Sequence, residues 1–115
     1  MWIDATKIES PGFFAFSPAV CAESGLSGSY SVNVAAVTGH DLWFSGTDRV
    51  SGWPQFSTWT KIGTDAASSP DCAVLRENPG LDPIIHIVTL SSRGSVTDLV
   101  GNGTSWVTTD LGPPP

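Results

Sequence analysis

Short apolar runs alternate with Gly-, Ser- and Pro-rich breaks along the whole chain, and no segment spaces its apolar residues with the period of a helix. Val32 to Val37 is one such run. The polar turn Thr38-Gly39-His40-Asp41 follows it, then a second run, Leu42 to Ser45. A long Gly/Ser loop comes next, and the segment closes on Trp59-Thr60-Lys61-Ile62-Gly63. Upstream, Ser17-Pro18-Ala19-Val20-Cys21-Ala22 reads as a strand opened by proline, a position where the missing N–H faces away from the ladder. Residues 17–63 therefore predict a unit of four short strands.

The pattern recurs roughly fifty residues later, a spacing typical of propeller repeats. Ser69-Pro70-Asp71-Cys72-Ala73-Val74 matches the opening strand, and Ile85-His86-Ile87-Val88-Thr89-Leu90 matches Val32 to Val37. Turns at 38–41 and 91–94 correspond, as do the runs 42–45 and 95–100. Each unit ends with a tryptophan and an aliphatic–glycine pair, Trp59 with Ile62-Gly63 and Trp106 with Leu111-Gly112. The matched apolar strands are apolar on both faces, as expected of a sheet stacked between two others. Asn33 and His86 share one repeat position and are expected to hydrogen-bond within the core.

Residues 1–10, with Trp2 and Thr6-Lys7-Ile8, read as a surplus strand; 17–63 and 69–112 read as two blades, and 113–115 as an extended proline tail. The fold class expected is all-β, a β-propeller of four-stranded blades. Each chain carries two blades plus the surplus N-terminal strand, and oligomerisation completes the ring. Propellers close with about four to eight blades; three or four copies, a trimer or tetramer, would build a six- or eight-bladed ring, or the chain is a piece of a longer propeller. The alternative is a single β-sandwich of about eight strands. The tail cannot join a ladder, and Phe13, Phe14 and Phe16 read as a core plug or strand edge.

Composition narrows the function classes. The 115 residues suffice for one domain, with five Trp and only 14% charged residues. The net charge is −6, and Lys7, Arg49, Lys61, Arg76 and Arg93 are scattered. Nucleic-acid binding draws its affinity from phosphate neutralisation, so that class is set aside. No apolar run reaches the length of a membrane span, so membrane insertion is not expected. The N-terminus lacks the basic start and apolar centre of a signal peptide. Cys21 and Cys72 are read as buried thiols, the commoner state of small apolar cysteines, with a pair as the alternative. Two cysteines fall short of a structural zinc site, and no calcium loop of the EF-hand kind is present, so no metal or cofactor is expected. HExxH, GxxxxGK and GxSxG are also absent, and no enzyme is predicted.

Ser-Pro-Ala-Val (17–20), Val-Asn-Val-Ala-Ala-Val (32–37), Leu42-Trp43-Phe44, Gly52-Trp53 and Trp59…Ile62-Gly63 together resemble a blade of the bacterial sugar-binding propeller lectins. These are the seven-bladed insect-pathogen type and, more distantly, the fucose lectins that assemble from two-bladed chains. The resemblance spans about residues 17–112 and is clearer in the first unit. In the second, Val96 stands for Trp43 and the Gly-Trp pair is missing. The resemblance implies glycan partners, with sugar pockets between blades or in blade loops, and the departures put one of two equivalent pockets in question. Gly101 to Trp106 also resembles half of the structural Asp box of sialidase-type blades, without its aspartate.

A pyranose offers a C–H face to an aromatic ring and hydroxyls to carboxylates, amides and guanidinium groups. Trp53, in a Ser-Gly-Trp-Pro loop, is the leading aromatic candidate. Trp43 and Trp106 are further candidates, for which core packing and a structural anchor are the competing readings. Trp59 reads as an anchor too. The polar candidates are His40 and Asp41 in the turn, Asp48 and Arg49 in the loop, and Arg76, Glu77 and Arg93 in the second unit. Any single charged loop residue is usually only solvated. The function expected is a multivalent, non-catalytic lectin. The alternatives are a self-assembling interaction module without a sugar site, or a fragment of a propeller glycosidase.

Overall fold

A computed structural model describes residues 16–24, 30–47, 56–75 and 84–115. Among these residues every regular element is a strand, so there is no helix to cross a membrane. Strands β1 (Ala19–Ser24), β2 (Tyr30–Thr38), β3 (Asp41–Gly46) and β4 (Thr60–Gly63) form one sheet in the order β1-β2-β3-β4. Strands β5 (Asp71–Leu75), β6 (Ile84–Leu90), β7 (Val96–Gly101) and β8 (Trp106–Gly112) form the second, in the order β5-β6-β7-β8. All neighbours are antiparallel. The hairpin between β2 and β3 closes through Gly39-His40, with Thr38 opposite Asp41. Gly39 takes φ 60°, which suits a two-residue turn whose first loop position is glycine. The all-β expectation is met. The expected surplus strand, Phe13, Phe14 and the loops at 25–29, 48–55 and 76–83 lie outside the described residues.

The two sheets superpose row by row. Ala19, Ala35, Phe44 and Thr60 form one row across the first sheet. Asp71, Val88, Asp98 and Thr109 form the same row across the second. The next row pairs Val37, Leu42 and Gly63 with Leu90, Val96 and Gly112. Between these two rows both edge strands carry a register irregularity, between Leu42 and Trp43 and between Val96 and Thr97. The extra residue is Ile62 in one sheet and Leu111 in the other. The repeated aliphatic–glycine pair of the sequence is thus a β-bulge kept at one place in both sheets. The tryptophans match less well. Trp106 lies opposite Gly101, whereas Trp59 precedes Thr60, which occupies the row of Thr109. Trp59 and Trp106 are therefore not equivalent positions, contrary to the sequence reading. The second strand runs longer before its bulge, and that shifts the register by two residues.

Strand side chains alternate between faces. One face of the first sheet, with Ala35, Val37, Leu42 and Phe44, meets the face of the second that carries Ile85, Ile87 and Leu99. These residues are at most 4% exposed and form the core. Phe44 and Trp106 meet edge to face across the sheets, with ring centroids 4.9 Å apart. The sheets approach most closely along β1 and β5. The linker after Gly63 crosses one end of both sheets to bring β5 beside β1. On the way Ala66 plugs the core at 2% exposure, its N–H donating to His40 O at 2.9 Å. Ala67 N–H donates to Leu90 O at 2.7 Å.

Cys21 and Cys72 are joined in a disulfide between β1 and β5, with Cα atoms 5.7 Å apart. The reading as buried thiols is corrected. The two cysteines lie far apart in sequence, and only the stacking of the sheets brings them together at the inner edge. Closing a loop of 51 residues removes about 4 kcal/mol of denatured-chain entropy in the loop-closure treatment. The variant Cys21→Ser/Cys72→Ser is expected to lose about 2–4 kcal/mol in urea unfolding, with the β-sheet circular dichroism retained in buffer. A second prediction follows from Gly101. An added Cβ there would lie 2.7 Å from the Trp106 ring and against the Ser105 carbonyl. Gly101→Ala is expected to cost about 1–3 kcal/mol by the same measurement.

Candidate functional site

Among the described residues two cavities open between the sheets. The larger, of about 400 Å3, lies between β3–β4 of one sheet and β6–β8 of the other. Leu42, Ile62 and Leu99 give it an apolar floor, and Lys61, Thr97 and Thr108 bring polar groups to it. The smaller, of about 200 Å3, lies at the end of the sheets opposite the β2–β3 hairpin. Asn33, Phe44, Gly46, Thr47 and Ser57 line it from the first sheet, and Asn102, Gly103 and Thr104 from the second.

Local structure explains why the smaller cavity exists. A Cβ on Gly46 would stand 2.8 Å from Phe44 Cζ and 2.9 Å from Asn33 Oδ1, so glycine lets the backbone pass beside the ring. Gly103, at φ 95°, faces the same Cε2–Cζ edge of Phe44, its would-be Cβ standing 3.8 Å from Cε2. Asn102 Oδ1 accepts hydrogen bonds from Thr104 N–H (2.9 Å) and Ser105 N–H (3.0 Å), which fixes the β7–β8 turn. Thr47 Oγ1 accepts from Val32 N–H at 2.9 Å. Ser57 O accepts from Ser45 Oγ at 2.7 Å. Asn33, 3% exposed, donates through Nδ2 to Cys21 O at 3.4 Å. The result is an aromatic edge walled by glycine and ringed by amide and hydroxyl groups. Among the described residues its lining groups are neutral.

The residues singled out by sequence fall in three places. His40 and Asp41 sit at the β2–β3 hairpin, away from the smaller cavity, and His40 Nδ1 lies 3.3 Å from Ala66 O. Trp43 projects from the other face of the first sheet, where its Nε1–H donates to Thr38 Oγ1 at 2.9 Å. Trp106 backs the cavity through Phe44 without lining it. Asp48, Arg49, Trp53, Arg76 and Glu77 lie outside the described residues. Thr47 and Ser57, close to the two ends of the 48–55 segment, both line the smaller cavity, and Thr47 bridges to Phe56. The candidate residues missed by sequence reasoning are Phe44, Thr47, Ser57 and Thr104. Their one sequence signal was the Gly-Asn-Gly-Thr turn at 101–104. Among the described residues no group of three or more His, Cys, Asp or Glu side chains could hold a metal ion.

Two acidic groups stand apart from the cavities. His86 Nδ1 and Asp98 Oδ2 are 3.2 Å apart on the outward face of the second sheet. Asp65, in the linker, takes φ 60° and accepts Ser92 N–H at 3.3 Å. Hydrogen bonding from Ser92 holds its carboxyl below the ordinary value of 3.8.

No protein-family model, curated protein or solved structure matches the chain.

A lowered folded-state pKa contributes stability above the ordinary carboxyl value, and that contribution is lost as pH falls through the lowered one. Asp65→Asn, which tolerates the left-handed backbone, is expected to melt slightly below the parent at neutral pH and level with it in strong acid. Asp65→Ala is expected to melt lower than either at neutral pH, which differential scanning fluorimetry across pH checks.

Proposed function

We propose that the chain is a non-catalytic carbohydrate-binding module, a pair of propeller blades that several copies complete into a ring. The observation that carries the sugar reading is the smaller cavity between the sheets. There the edge of Phe44 sits among the hydroxyls of Thr47, Ser57 and Thr104 and the amides of Asn33 and Asn102. An apolar surface rimmed by a few placed polar groups is the usual plan of a small-molecule site. Its volume of about 200 Å3 suits a single sugar residue rather than a long chain. In the sequence Asp48, Arg49 and Trp53 stand between the lining residues Thr47 and Ser57, and these remain the proposed specificity residues.

The blade reading has its own support. Two four-stranded antiparallel meanders carry a β-bulge at the same row and approach most closely along β1 and β5, an arrangement compatible with neighbouring blades. The disulfide fits an exported protein, since such bonds persist in oxidising compartments. Several weak sites on one ring would gain avidity from multivalent glycan surfaces.

A glycan array with the assembled wild-type chain is expected to give selective signals. Thr104→Arg, at an exposed position on the cavity wall, and Trp53→Ala are each expected to reduce binding at least about tenfold with unchanged melting temperature. Absence of any glycan signal from a folded, assembled chain would leave the self-assembling interaction module as the better reading.

A further inference from the structure

The row-by-row equivalence of the sheets has a consequence for their outward faces. The first sheet packs inward with Cys21, Asn33, Ala35, Val37, Leu42 and Phe44. The equivalent positions in the second sheet are Ala73, His86, Val88, Leu90, Val96 and Asp98, and all of these point outward. The converse also holds. The second sheet packs inward with Cys72, Val74, Ile85 and Ile87, whose equivalents Val20, Ala22, Val32 and Val34 point outward from the first. The chain therefore carries one buried contact between a front face and a back face. Among the described residues, the outward face of the second sheet is exposed at Ala73, Leu75, Leu90 and Val107, whereas that of the first is exposed at Val20 and Ala22 and buried at Ala36 and Ser45.

Those faces are apolar at several positions whose equivalents are buried, while Asp98 stands for Phe44 and His86 for Asn33. Val37 is 0% exposed and its counterpart Leu90 is 40%. Val20, the counterpart of disulfide-bonded Cys72, is 64% exposed. Leu75 and Val107, on the same face as Leu90, are 53% and 67% exposed. Apolar surface of this extent on a sheet marks an association site.

We infer that a second copy of this chain covers these faces by repeating the contact already made within the chain. The outward face of the second sheet of one copy packs on the outward face of the first sheet of the next, and Ala73 lies against Val20 where Cys21 meets Cys72 internally. The continuity of the stacking selects this occupant, because the face to be covered has the same strand rows as a face the chain already covers. The contact is heterologous, so it propagates in one direction and closes when the rotation per copy divides a full turn. The His86–Asp98 pair lies on that face, so the pocket between copies differs chemically from the one within the chain. The inference rests on the stacked-blade reading above but not on its sugar site.

The test uses variants of the full chain with one added cysteine each. Val20→Cys and Ala73→Cys chains, mixed under mild oxidation, are expected to form a cross-linked pair on a non-reducing gel. Neither variant should cross-link to itself, and peptide mapping should show Cys21–Cys72 intact. Leu90→Glu, at a position already exposed in the single chain, is expected to keep the sheet spectrum and weaken self-association at least about tenfold by native mass spectrometry. A wild-type chain of single-chain mass would overturn the inference, as would no cross-link in the mixture. Self-cross-linking of Val20→Cys alone would also sink it, since that indicates a two-fold contact. Glycan binding without the cross-link leaves the sugar reading standing and removes this interface. The cross-link without glycan binding does the reverse.

Discussion

A small sheet with apolar side chains on both faces cannot satisfy itself with one neighbour. That constraint governs the whole chain. Ala35, Val37, Leu42 and Phe44 find Ile85, Ile87 and Leu99, and this single interface supplies nearly all of the described core. Everything else serves to place the two sheets in that contact. The linker crosses one end of the stack and seals it with Ala66. The disulfide ties the edge strands β1 and β5. The cavities lie between the remaining strands.

The bulges explain how two divergent segments keep one geometry. Slipping a strand by one residue would turn its apolar set to the wrong face. Ile62 and Leu111 mark the one place where that alternation is interrupted, and it is interrupted identically in both sheets. The side chains around the bulge have meanwhile diverged. Phe44 has Asp98 as its counterpart, and Asn33 has His86. Architecture is thus held by backbone register and glycine, while chemistry varies at equivalent rows.

Most of the strand pattern was legible in the sequence because it rests on local signals. Gly39 marks the hairpin, and the paired Ile62-Gly63 and Leu111-Gly112 mark the bulges. The disulfide was not legible, because it depends on the stacking of distant strands rather than on any spacing. The smaller cavity was missed for a related reason. Phe44 stands within the apolar run Leu42 to Ser45, and it is core, at 4% exposure. Only the glycine at 46 and the positive φ of Gly103 bring polar groups to its edge. Trp43 drew attention by its size, yet its hydrogen bond is made to Thr38 on the other face of the sheet.

The order of the strands also sets the order of folding. Every ladder joins strands adjacent in sequence, so each meander closes only short loops and forms fast. Among the described residues the long-range step is the docking of one sheet on the other, along β1 and β5 and at Phe44–Trp106, and it waits for both meanders. The Cys21–Cys72 bond therefore forms late, on sheets already shaped, and works as a clasp on a finished stack rather than a guide to its assembly. Oxidation before docking would trap the chain with its apolar faces uncovered.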